Sequence, residues 1–104
     1  MAASTVRLRR RDEVAERTMA FHVDKPPSFR FKEGQSVDLT LIDPPESDSE
    51  GNTRTFSIAS APQDQQLMIA TRMRDTAFER VLASLPIGDM VVWLRYGKSY
   101  LHAR

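Results

Sequence analysis

The sequence predicts an all-β fold: a six-stranded antiparallel Greek-key β-barrel with one short α-helix before the last strand. Three observations carry that expectation. Apolar and polar residues alternate through several short segments, the period lengthens once to that of a helix, and the run "MVVWL" at 90–94 is apolar on both faces. A closed or nearly closed barrel would hide the edges that such a set of strands otherwise exposes.

Val6 and Leu8 alternate with Arg7 and Arg9, and after Asp12 and Glu13 a second alternation puts Met19, Phe21 and Val23 on one face. This is a strand, a turn and a strand. The "RLRRR" cluster therefore reads as a solvated strand face. Pro26 and Pro27 end the second strand by fixing φ and removing two donors. Phe29 and Phe31 resume the alternation, Gly34 supplies a turn, and Val37, Leu39 and Leu41 form the third strand. Residues 43–53 are polar and acidic, carry two prolines and a glycine, and show no period, so they read as an exposed loop. Asp43, Glu46, Asp48 and Glu50 are expected to be solvated there, since their spacing is not that of a calcium loop.

The fourth strand carries "RTFSIAS" at 54–60, and the fifth runs through Leu67, Ile69 and Thr71. Phe78, Val81, Leu82 and Leu85 then fall at i, i+3, i+4 and i+7, one face of a helix. Thr76 and Glu79 form a capping-box pattern at its start, and Pro86 with Gly88 closes it.

A chain of 104 residues is one domain, without internal repeats. Fifteen Lys and Arg against 14 Asp and Glu leave a net charge of +1, so no global field draws it to nucleic acid or an anionic membrane. The absence of cysteine removes disulfides, iron–sulfur clusters and thiol nucleophiles, and two histidines, His22 and His102, make a zinc site improbable. No apolar run reaches signal-peptide or bilayer length, and the expectation is a cytoplasmic protein with no nucleic-acid or membrane partner.

Strand alternation places Arg54, Phe56 and Ile58 on one face and Thr55, Ser57 and Ala59 on the other. A guanidinium two residues from an aromatic suits a ligand that is anionic at one end and flat at the other. The competing account makes Phe56 and Ile58 ordinary core residues and Arg54 a rim cap. The helix start at Asp75, Thr76 and Ala77, preceded by Arg72 and Arg74, is a second anion-binding candidate. Its competing account is a helix capped for its own sake beside solvated arginines. No nucleophile–base motif stands out, so no catalytic residue is assigned, and any chemistry falls to a cofactor.

The segments "FRFKEGQSVDLTL", "RTFSIASAP" and "LMIATRMRDTAFERVLASLPIGDMVV" resemble, in order and spacing, the FAD-binding domain of the ferredoxin–NADP reductase family, over residues 5–102. The resemblance implies that Arg54 meets the FAD pyrophosphate, Phe56 packs on the isoalloxazine and Ser57 bonds near flavin N5. It implies a second phosphate contact from Arg74, Asp75, Thr76 and Ala77. Ile58, Thr71 and Arg72 complete the candidate flavin-binding set. Phe56 stands where many members have tyrosine, Glu33-Gly34-Gln35 replaces Pro-Gly-Gln, and only Gly97 survives of the glycine-rich segment after the last strand.

The family continues into a domain that binds NAD(P)H, and these 104 residues hold no glycine-rich strand-to-helix turn. The resemblance thus implies an FAD-binding barrel, incomplete by itself, that moves electrons between NAD(P)H and an acceptor when an NAD(P)-binding domain or redox partner completes it. The alternative is a non-catalytic interaction module that has lost flavin binding; it requires Phe56 to be packed in the core. A barrel for single-stranded nucleic acid would need a basic groove with exposed aromatics, which the composition disfavours.

Overall fold

Alternating apolar residues form strands because a pleated chain turns every second side chain to one face. In this computed structural model, which describes residues 2–26, 29–32, 35–88 and 90–96, the chain runs through β1 (Ala2–Ala15), β2 (Thr18–Asp24), β3 (Ser36–Leu41), β4 (Thr53–Ser57), β5 (Gln66–Arg72), α1 (Ala77–Ser84) and β6 (Met90–Tyr96). The strands lie in the order β4-β3-β6-β1-β2-β5, and every pairing is antiparallel.

β1 serves two neighbours. Its first half pairs with β6 and its second half with β2, with a register shift between Val6 and Arg7 where the partner changes. Asp12 and Glu13 do not make the turn. They are strand residues opposite Ala20 and Met19, and the chain reverses at Glu16 and Arg17, where Arg17 adopts φ 56°.

The strands do not close into a barrel. The edge strands β4 and β5 meet at a single bridge, Ile58 with Ile69, beside which the Ala59 N–H donates to the Met68 carbonyl at 2.7 Å. The Met68 N–H is taken by the Ser60 hydroxyl at 2.9 Å, so the ladder stops there. Across that bridge β2 lies beside β5, β5 beside β4 and β4 beside β3, the spatial order of a Greek key.

The inward residues form one core: Val6, Leu8, Phe21, Val23, Val37, Leu39, Leu67 and Ile69 from the strands, joined by Phe78, Val81 and Leu82 from the apolar face of α1. Phe29 and Phe31 belong to it without being in a strand, stacked with centroids 5.3 Å apart. The helix has no basic residue in its last turn. β1 supplies the missing cations: Arg11 Nη1 donates to the Leu85 carbonyl at 2.5 Å and Arg7 Nη1 to the Gly88 carbonyl at 2.7 Å. Charge at a helix C-terminus is thereby met by the arginine cluster of the first strand. Gly88, at φ 93°, makes the turn that follows, and its N–H reaches the Leu8 carbonyl at 2.7 Å.

Candidate functional site

β4 turns Arg54, Phe56 and the following Ile58 inward and leaves Thr55 and Ser57 exposed. Phe56, 9% exposed, lies in the core with its ring 6.1 Å from that of Phe78. The Arg54 side chain is only 15% exposed. Its Nη1 donates to the carbonyls of Glu50, Gly51 and Thr53 at 3.1, 3.3 and 3.1 Å. Nη2 stands 3.6 Å from Glu50 Oε1, an ion-pair distance too long for a hydrogen bond. Nε and Nη2 are both buried with no hydrogen-bond partner. Buried donors are rarely left so, because each forfeits its water without replacement.

The second part of the site is the start of α1. Thr76 is the N-cap: its Oγ1 accepts from the Glu79 N–H at 3.4 Å, and its hydroxyl donates to the Glu79 carboxylate. The first-turn N–H of Ala77 is held by a carboxylate from far along the chain, Asp48 Oδ2, at 2.9 Å. Arg74 donates to both oxygens of Glu50 at 3.3 and 3.2 Å, and Arg80 pairs with Glu46 at 3.2 and 2.9 Å and with Asp75 at 2.5 Å.

The acidic loop is therefore not simply solvated. Asp48, Glu50 and Glu46 remain exposed but are docked along the start of α1. Asp48 organises the loop as well, accepting from the Glu50 N–H at 3.0 Å in an Asx turn, while Gly51, at φ 85°, donates to the Asp48 carbonyl at 3.0 Å. The N–H groups of Ala77 and then Glu50 hold the Asp48 carboxyl below the usual carboxylate range, and the Arg80 hydrogen bond does the same for Glu46. Arg80 is correspondingly held above its ordinary value by Glu46 and Asp75.

Three solved structures share this architecture. A ferredoxin–NADP+ reductase from Neisseria gonorrhoeae, with bound FAD and NADP, superposes over 89% of this chain and 36% of its own at TM-score 0.71 and 21% identity. The fold is that of the ferredoxin–NADP reductase-type FAD-binding domain. The siderophore-interacting protein SipS from Aeromonas hydrophila matches this FAD-binding-domain fold over 91% of the chain and 43% of its own, at TM-score 0.63 and 16% identity. The cytochrome b5 reductase domain of Ulva prolifera nitrate reductase does so over 91% and 40%, at TM-score 0.63 and 12% identity. The chain thus spans under half the length of these neighbours. No protein-family model and no curated protein matches it.

Within the FAD-binding-domain fold, Arg54, Arg74 and Ala77 come together around the acidic loop, with Phe56 reaching the same place through Phe78, while Thr76 bonds within α1. Ser57 is exposed at the end of β4, and Ile58 is buried, its N–H on the Gln35 carbonyl at 2.9 Å. Thr71 and Arg72 lie on β5 opposite Met19 and Thr18, and among the described residues no hydrogen bond or ion pair joins them to the cluster. Glu33, Gly34 and Gly97 fall outside the described residues. His22 stands 3.6 Å from Asp12. Among the described residues no group of three His, Cys, Asp or Glu is placed to hold a metal, and no helix is long and apolar enough to cross a membrane.

The sequence alone missed Phe78 as the floor beneath Arg54, and Asp48, Glu50 and Glu46 as its companions. The acidic composition of the loop was visible, but its partners lie 24 to 34 residues further on. Only the juxtaposition of β4 with α1 brings them within reach.

Proposed function

We propose that residues 1–104 are the single FAD-binding domain of a flavin-dependent oxidoreductase, moving electrons between NAD(P)H and an acceptor when a nucleotide-binding domain outside these residues completes it. The observation that carries this reading is the convergence of Arg54, Arg74 and the Ala77 N–H, with two buried Arg54 nitrogens lacking a hydrogen bond, in a fold shared with FAD-binding domains. The chemistry of that donor set fits a pyrophosphate: a forked guanidinium, a second arginine and a helix N-terminus all prefer oxyanions. Ser57, which follows Phe56 directly and is exposed at the end of β4, would meet the polar edge of the ring. FAD would supply hydride acceptance and electron storage; the chain's own residues bind and orient it.

Flavin binding is tested by titrating the protein into FAD and following flavin fluorescence and the 300–550 nm absorbance, with riboflavin as comparison. Quenching or a shifted absorbance band with FAD, and markedly weaker binding of riboflavin, is the expected result. An unchanged FAD spectrum at saturating protein would overturn the reading.

One observation favours a second reading, a non-catalytic β-barrel interaction module. Phe56 is packed in the core against Phe78, where a ring free to stack on a flavin would be displayed. In that case the Arg54 cluster serves only to hold the loop, and FAD leaves the amide resonances of residues 54–58 and 74–77 unmoved.

A further inference from the structure

We propose that the loop between β3 and β4 is an internal anionic latch: the carboxylates of Asp48 and Glu50 occupy the anion-binding cluster of the Ala77 N–H, Arg74 and Arg54, and a phosphate-bearing ligand binds by displacing them. The proposal deepens the flavin reading and rests on it for the identity of the natural ligand.

Three donors from two parts of the chain, β4 and the start of α1, converge on one loop. Asp48 Oδ2 takes the Ala77 N–H at 2.9 Å, and Glu50 is shared by Arg74, at 3.2 Å, and Arg54, at 3.6 Å. These are the groups that a pyrophosphate would use, and the carboxylates meet them imperfectly. Glu50 leaves Arg54 Nε and Nη2 without a hydrogen bond although both atoms are buried. A pyrophosphate spreads its charged oxygens over two linked phosphorus centres, and can reach donors that Glu50 leaves idle.

The loop is also built to leave. Asp48 and Glu50 are exposed, and exposed ion pairs are individually weak and screened by salt. Its Asx turn, with Gly51 at φ 85°, is made by contacts inside the loop and does not depend on the arginines. Arg54 Nη1 holds the backbone carbonyls of Glu50, Gly51 and Thr53, so the base of the loop stays anchored while its carboxylates are displaced.

The test is calorimetric titration of the wild type and the Asp48→Asn/Glu50→Gln double variant with FAD and, separately, with inorganic pyrophosphate. Asp43→Asn, an exposed acid of the same loop outside the cluster, controls for net charge. The latch predicts that the double variant binds both ligands about fivefold to tenfold more tightly, since two weak pairs no longer compete, with Asp43→Asn close to wild type. Equal or weaker binding of both ligands by the double variant would overturn the latch while leaving the flavin reading standing. Tighter pyrophosphate binding without any FAD binding would uphold the latch and remove the flavin reading. No binding of either ligand by either protein would remove both.

Should the double variant fail to fold, the wild type supplies an independent readout. Pyrophosphate is expected to shift the Ala77 and Gly51 amide resonances and to speed cleavage after Glu50 by a glutamate-specific protease. Neither change at saturating pyrophosphate would overturn the latch.

Discussion

The guanidinium of Arg54 lies over the ring of Phe78, with Cζ 4.9 Å from the centroid. One residue comes from β4 and the other from the first turn of α1, so this contact joins the two halves of the candidate site. It also explains how a strand can hold an arginine inward: the ring faces the cation, and carbonyls of the adjoining loop take one end of the fork.

Replacing Arg54 removes the central donor of the cluster. Arg54→Ala is expected to weaken FAD binding by about 1.5–3 kcal/mol, the range of a charge-assisted hydrogen bond. Binding of FMN, which has no pyrophosphate, should weaken less. Titration of both flavins checks the difference, and equal losses would mean that Arg54 acts only by supporting the loop. Arg54→Lys keeps the charge without the fork and should recover little of the FAD preference.

Thr76 is the N-cap of α1, and its hydroxyl oxygen is the acceptor for the Glu79 N–H. Thr76→Ala should destabilise the domain by about 0.5–2 kcal/mol, while Thr76→Ser retains most of the stability. A lower urea midpoint at an unchanged slope would show that loss of stability.

Asp24 accepts from Arg9 Nε at 2.7 Å and from the Arg7 N–H at 3.2 Å. Partial burial alone would raise its pKa, but those hydrogen bonds and the charges of Arg9 and Arg7 outweigh it, and the carboxyl sits below its ordinary value. A carboxyl depressed in the folded state stabilises above its unfolded pKa, and that contribution fades as pH falls through the folded value. Asp24→Asn should therefore lower the melting temperature at neutral pH, and the gap from wild type should narrow below about pH 3.9, the unperturbed value. Thermal melts across that range check it; a gap that widens in acid would reverse the assignment.

The strands and the helix were legible because their evidence is local. Phe21, Val23, Val37, Leu39, Leu67 and Ile69 announce buried faces by alternation, and Thr76 with Glu79 marks a helix start within four residues. The hairpin turn was misplaced because Asp12 and Glu13 look like turn residues, yet they sit on an exposed part of the strand pair where polar side chains carry no penalty. The site was half legible. Arg54 and the helix start could be read as anion-seeking, but Glu50, between Arg54 and Arg74, could not. Which carboxylate meets which arginine depends on how a loop without periodicity folds back over α1, and that is decided by tertiary contacts alone.

The role of Phe56 can be tested apart from that of Arg54. It is buried against Phe78, so truncation to alanine would remove about 3–5 kcal/mol and confound binding with unfolding. Phe56→Leu fills most of the space without the ring and should fold with a modest loss of stability. If a flavin stacks on this ring once bound, Phe56→Leu is expected to alter the shape of the bound-flavin absorbance band and to weaken FMN and FAD alike, because both carry the same isoalloxazine. Arg54→Ala, by contrast, acts on the pyrophosphate end and weakens FMN less than FAD. A Phe56→Leu protein that binds both flavins as tightly as wild type, with an identical spectrum, would leave Phe56 a core residue and make Ser57 and the Arg54 cluster the whole of the flavin contact from β4.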